Sequence, residues 1–118
     1  MKTTSESMEI KRLNRIRTMQ YILNAKTTSR QEIASALGFS MPTVLQNVAD
    51  LMECGLVFES GEYASTGGRK AKALSICGGL RCTIGVEITA RHVHMVLLDL
   101  NQTLLDRMSC RLPYQNTQ

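Results

Sequence analysis

The chain has no tryptophan, and aromatic residues make up only 4% of it, so any interior must be built from Leu, Ile, Val, Met and Ala. Long apolar runs are missing too. The longest, Met95 to Leu98, is far too short to cross a bilayer, which needs about 20 residues. The first nine residues, Met1 to Glu9, are polar and hold no apolar segment of the kind an export signal needs. Cysteine is present four times, at Cys54, Cys77, Cys82 and Cys110, but never as a CxxC pair, and the two histidines, His92 and His94, stand apart from these cysteines. That pattern gives no zinc site, and free thiols in a reducing cytoplasm are the simplest setting. No GxxxxGK[ST] phosphate loop occurs anywhere. Neither charge sign dominates. The formal net charge is +4, with the basic excess leaning to the first part of the chain: Lys11, Arg12, Arg15 and Arg17 form one cluster, and Arg69, Lys70 and Lys72 another.

With 118 residues, the chain suits one ordinary domain, or a small domain and the start of another. Residues 1–8, rich in Ser, Thr and Lys, read as a disordered tail. From about Glu9 to Ala25, apolar residues recur at helical spacing (Ile10, Leu13, Ile16, Met19 or Gln20, Leu23), and this stripe is expected to face the core. After a polar break, Lys26-Thr27-Thr28, the segment Ser29-Arg30-Gln31-Glu32 reads as a capping box that starts a short helix with Ile33, Ala34 and Leu37 inward. Gly38 ends it. Ser40 caps a third helix, Pro42 falls in its first turn, and the helix runs to about Cys54 with Val44, Val48 and Leu51 on one face. Gly55 stops it. Leu56 to Glu59 then reads as a strand, Ser60 to Gly68 as a glycine- and serine-rich loop, and Arg69 to Ile76 as a second strand.

Two helices joined by the three residues Gly38-Phe39-Ser40 have helix-turn-helix spacing, and in that motif the second helix enters the major groove of DNA. The outward face of the third helix is expected to carry Met41, Pro42, Thr43, Leu45, Gln46, Asn47 and Asp50. Gln46 and Asn47 are the residue types that pair bidentately with adenine, Leu45 can touch a thymine methyl, and Thr43 can bond a phosphate or a base. Ser40 and the helix N-terminus offer N–H groups to a phosphate. Arg69 and Lys70, beside Gly67-Gly68, sit where the wing of a winged helix would be, and an arginine there can enter a narrow minor groove. A short helix-turn-helix pattern alone also arises by chance, and an exposed Gln-Asn pair is usually a wet helix face. The order of helices, turn and basic loop is what points to DNA. The expected division of labour has Gln46 and Asn47 setting sequence preference while Arg69 and Lys70 supply affinity.

Cys77-Gly78-Gly79 reads as a boundary. Beyond it lie three candidate strands, Arg81 to Thr89, His92 to Asp99 and Thr103 to Leu112, with a turn at Asn101-Gln102. The fold class is thus α+β: a winged helix-turn-helix over residues 9–77 followed by a short antiparallel meander over residues 78–118. Glu87, Asp99 and Asp106 read as solvated strand residues, since Glu87 and Asp99 need not share a face. His92 and His94 do share one, being two apart on a strand.

The stretches Ile22-Leu23, Ser29-Arg30-Gln31-Glu32-Ile33-Ala34, Leu37 to Val44, Leu51, Gly55-Leu56-Val57 and Ser65-Thr66-Gly67-Gly68-Arg69-Lys70 together resemble the ROK family of repressors and kinases, the last six being the most specific. Ile84 to Ile88 and Val96 to Asn101 resemble the first two strands of that family's sugar-kinase-like domain, which has a ribonuclease H-like fold. The resemblance implies that residues 78–118 are the opening of that domain, in a longer parent protein. It further implies a double-stranded DNA operator as partner, a homodimer, no membrane, and a sugar or phosphosugar effector held only by the full-length parent. The function it implies is that of a sugar-responsive repressor of carbohydrate metabolism genes. Kinase members carry an Asp-x-Gly-Gly-Thr phosphate loop where this chain has Glu87-Ile88-Thr89-Ala90-Arg91. With both glycines gone, neither catalysis nor a cofactor is expected. Asn101 is expected to stand where the family has glycine in an Asp-Leu-x-Gly turn. A winged-helix protein-interaction module is the alternative, left open by Met41 and Leu45, and the remnant of a sugar kinase is a more distant one.

Overall fold

Two units make up the computed structural model, Met1–Cys77 and Gly78–Gln118, and residues 4–63 and 70–113 are described. In the first, α1 (Thr4–Ala25), α2 (Arg30–Leu37) and α3 (Met41–Glu53) precede an antiparallel pair, β1 (Val57–Tyr63) and β2 (Ala71–Ile76). No described helix is long and apolar enough to cross a membrane.

Helix α1 departs from expectation twice. It begins at Thr4 rather than Glu9, so residues 4–8 are helix and not tail, with Glu6 complementing the positive end of the helix dipole. Its packed face is also not the apolar stripe. Ile10, Leu13 and Ile16 are exposed, while Thr18 and Ile22 on the opposite side are fully buried. The reason lies in the partner helix: buried Asn47 on α3 donates to the Thr18 hydroxyl at 3.1 Å, and that hydroxyl donates to the Asn14 carbonyl at 2.8 Å. A matched polar pair fixes the rotation of α1, because leaving either group unpaired inside would cost about 1–3 kcal/mol.

The α2–α3 pair forms as the cap residues dictate. Ser29 accepts from the Glu32 N–H at 3.2 Å. The Glu32 carboxylate accepts from the Thr28 hydroxyl at 2.8 Å. Gly38 takes φ 65°, the left-handed conformation that glycine adopts without a Cβ penalty. Ser40 Oγ accepts from the Thr43 N–H, and Pro42 sits in the first turn. Ile22, Ile33, Val44, Val48, Leu51, Val57, Ala73, Leu74 and Ile76 close into one core.

The hairpin reaches further than its sequence suggests. β1 continues through Ser60-Gly61-Glu62 to Tyr63, a stretch expected to be loop, because a bulge between Glu59 and Glu62 lets pairing resume at Glu62–Lys72. Residues 64–69 lie outside the described residues. The polar break before α2 is likewise more than a linker. Thr28 pairs with Leu74 through both backbone bonds, Thr28 N–H to Leu74 C=O at 3.1 Å and Leu74 N–H to Thr28 C=O at 2.8 Å. This bridge adds a third, minimal strand to the hairpin.

The second unit holds a short 3₁₀ turn (Gly78–Leu80) and the antiparallel meander β3 (Cys82–Ile88), β4 (His92–Asp99) and β5 (Leu104–Arg111). The strand expected over His92 to Asp99 forms with those bounds, and the other two are one residue shorter at each end than expected. Cross-strand register puts Ile84 opposite Leu97 and Val86 opposite Met95, which pairs in turn with Met108. One face is therefore apolar, and Ile84, Val86, Ile88 and Met108 on it are more than half exposed. In the turn between β4 and β5 the left-handed residue is Gln102, φ 65°, and not Asn101. Counting Asp99-Leu100-Asn101-Gln102 places the glycine position of an Asp-Leu-x-Gly turn at Gln102, so the Asn101 assignment is corrected by one residue.

Candidate nucleic-acid interface

Helix α3 presents its residues in two classes. Met41, Pro42, Leu45 and Gln46 are exposed, Thr43 is half-buried, and Ser40 is exposed beside it. The Ser40 and Thr43 hydroxyls lie 2.9 Å apart, so a small polar cluster crowns the helix N-terminus. Gln46 donates through Nε2 to Asp50 Oδ1 at 2.7 Å, one turn further along the same face. The second oxygen of Asp50 meets Arg15 Nη2 of α1 at 3.1 Å.

Asn47 is the exception, and its expected place at the base edges is corrected here. It is only 6% exposed and is spent on the Thr18 hydroxyl inside the domain. An amide buried between α1 and α3 has no reach to a duplex. Asn47→Ala should therefore act on folding. Unfolding free energy should drop by about 1–3 kcal/mol, because the Thr18 hydroxyl loses a buried partner. The ratio of affinities for a specific and a scrambled duplex should stay put. A changed ratio with an unchanged melting curve would place Asn47 back at the surface.

Opposite the start of α3, the base of the wing supplies cations. A groove is lined by Arg30 and Gln31 of α2, Met41 and Leu45 of α3, and Lys70, Ala71 and Lys72 of the hairpin. Lys70 is exposed and pairs with Glu62 at 2.6 Å. Lys72 and Arg30 both reach Glu59, at 2.7 Å and 3.0 Å. Arg69 lies outside the described residues. Sequence reasoning places Lys72 in the basic cluster with Arg69 and Lys70 but assigns neither it nor Arg30 to the interface, though a signal exists. Arg30 is the first residue of α2 after its cap, and Lys72 is two positions from Lys70, so an extended chain puts the two on one side.

The Lys72 ammonium, and after it the Arg30 guanidinium, hold the Glu59 carboxyl below its ordinary range. A carboxyl whose pKa is lower when folded adds stability above its unfolded pKa, about 4.3 for Glu, and loses it as pH falls through the folded value. Melting curves of the native chain and of Glu59→Gln should thus differ at pH 7 and draw together below about pH 4. Parallel curves over the whole range would mean that the ion pairs add nothing.

Among its described residues the second unit offers no comparable site. Glu87 pairs with His94 at one end of the sheet, while Asp99 pairs with Cys82 at the other and on the opposite face. Where a phosphate loop would lie, Thr89 closes a tight turn. Its hydroxyl accepts from the His92 N–H at 3.0 Å, and its own N–H donates to the His92 carbonyl at 2.9 Å. His92 and His94 stack, ring centroids 5.7 Å apart, as their shared face requires. Among the described residues, no group of three or more His, Cys, Asp or Glu is placed to hold a metal ion.

Three helices, the second and third at a tight turn, with a hairpin bridged back to them, define a winged helix-turn-helix. A three-stranded antiparallel meander follows it. The chain resembles the ROK-family transcriptional regulators and is homologous to xylose-repressor-type proteins over most of its length. It is 29% identical over 96 residues to the xylose repressor of Bacillus spizizenii, a match covering 81% of this chain and 25% of that protein. It is 27% identical over 96 residues to the xylose repressor of Bacillus subtilis, with the same coverage. Among solved structures, a ROK family transcriptional regulator, a homolog of the Escherichia coli MLC protein, superposes with a TM-score of 0.69 at 16% identity, over 87% of this chain and 26% of that one. The chain therefore spans about a quarter of the length of these relatives. No family model matches it.

Proposed function

We propose that the first unit is the operator-reading module of a transcriptional regulator and binds double-stranded DNA. The observation that carries this reading is the groove shared by α3 and the wing, where exposed Met41 and Leu45 face Arg30, Lys70 and Lys72. A recognition helix laid in the major groove leaves its flanking phosphates to neighbouring cations, and these sit on the side where the wing meets the helix. Exposed Leu45 suits a thymine methyl, and the Ser40–Thr43 cap suits a phosphate.

The regulator this module serves is read as a sugar-responsive repressor of carbohydrate metabolism genes, acting in the cytoplasm as a homodimer on a two-fold operator. Support comes from relatives named as xylose repressors. Its effector, a sugar or phosphosugar, belongs to the longer parent protein. In this reading the apolar pair Met41 and Leu45 serves bases and not a partner protein.

Fluorescence anisotropy against duplexes from the protein's own promoter, beside a scrambled duplex, tests the proposal. Gln46→Ala should narrow the gap between the two duplexes, by on the order of ten-fold for a lost bidentate pair. Arg69→Ala should weaken both and lower the salt slope by about one unit. Equal affinity for promoter and scrambled DNA at every salt concentration would refute it.

A further inference from the structure

We propose that Asp50 is a positioning residue that fixes which way round the Gln46 amide is presented, so that α3 reads adenine in preference to guanine at one operator position. The inference rests on the DNA-binding reading above and sharpens it. Gln46 and Asp50 are one helical turn apart, and Gln46 Nε2 lies 2.7 Å from Asp50 Oδ1. A carboxylate can only accept hydrogen bonds, so the amide must turn its NH2 end toward Asp50 and its carbonyl oxygen away. The other Asp50 oxygen is held at 3.1 Å by Arg15 of α1. The carboxylate is thus tied to a second helix and cannot simply follow the glutamine as it rotates.

What Gln46 has left to offer follows by counting. The amide owns two N–H donors and one carbonyl acceptor. With one N–H committed to Asp50, a single donor and a single acceptor remain. Adenine presents an acceptor, N7, and a donor, the N6 amine, in the major groove, and the two sets match. Guanine presents two acceptors, N7 and O6. A free glutamine can meet guanine with both N–H groups, but one tied to Asp50 brings its carbonyl oxygen against an acceptor. Asp50 therefore excludes guanine while never touching a base. Removing it should relax this choice and leave the rest of the recognition helix in place.

The experiment is selection from a pool of randomised duplexes with the full chain, read by sequencing, followed by anisotropy on duplexes that differ only at the position assigned to Gln46. The native chain should enrich a motif with adenine at one position per half-site, preferred over guanine by on the order of ten-fold or more. Gln46→Ala should lose the preference at that position alone. Asp50→Asn keeps the shape but can turn either a donor or an acceptor to Gln46. It should keep the rest of the motif, while the adenine-to-guanine ratio falls to within about three-fold. Asp50→Ala, which removes the acceptor, should do the same, and thermal melts identify a variant that acts by unfolding. A full adenine preference in both Asp50 variants, or a loss spread evenly over all positions in folded variants, overturns the proposal. A motif that Gln46→Ala leaves intact overturns it too. If the native chain enriches no motif, DNA reading itself fails, a result distinct from the others.

Discussion

Leu74→Ala should destabilise the first unit by about 2–5 kcal/mol, the range for deleting a large aliphatic side chain from a packed site. Leu74 is fully buried, and its backbone forms both bonds of the bridge to Thr28. A cavity at this point loosens the contact of the hairpin with all three helices. In a domain of this size, such a loss lowers the melting temperature by roughly 10–30 °C. Circular dichroism melts measure it directly, with Leu104→Ala as the control. Leu104 belongs to the second unit and is 51% exposed, so its truncation should stay within about 0.5 kcal/mol. Equal effects of the two substitutions would mean that Leu74 is not the keystone its burial indicates.

The second large effect concerns affinity. Reversing both exposed lysines of the wing base, Lys70→Glu with Lys72→Glu, should weaken binding to any duplex by on the order of ten- to a hundred-fold at low salt. It should also reduce the salt slope by about two units, one per lost phosphate contact. The native lysines are paired with Glu62 and Glu59, and a phosphate must compete with those carboxylates. Reversal leaves four carboxylates facing the backbone, so repulsion adds to the lost attraction. Anisotropy over a salt series on a specific and a scrambled duplex measures both quantities. A slope that does not change would move the wing away from the DNA.

Capping chemistry is why so much of the domain could be read from its residues. Ser29, Gly38, Ser40 and Pro42 each act on the backbone within three or four residues, so their consequences are local and legible. The core face of α3 followed from its period, and so did the three strands of the meander. Helix α1 shows where such reading fails. Its most regular apolar stripe, Ile10, Leu13 and Ile16, is exposed, and the face it buries is chosen by a polar pair, Thr18 with Asn47, whose members are 29 residues apart. No periodicity reports a partner that distant. Asn47 was misplaced for the same reason, since its outward or inward direction depends on Thr18. The extension of β1 past a bulge was hidden too, because Ser60-Gly61-Glu62 has the composition of a turn, and only pairing with β2 makes it strand.

The Thr28–Leu74 bridge also bears on how such a protein could be controlled. It ties the segment entering the helix-turn-helix to the inner strand of the wing, over a core that all these elements share. A reading head braced in this way moves as one piece. Bending the wing while α3 stays still would break two backbone bonds and open the packing around Leu74. In the homodimer proposed above, a signal arriving from elsewhere would thus find little slack inside each head to exploit. What it could change cheaply is the span between heads, as calipers are adjusted at the hinge and not at the tips. The grip on an operator would then be lost by mismatch in spacing, each head still able to recognise its own half.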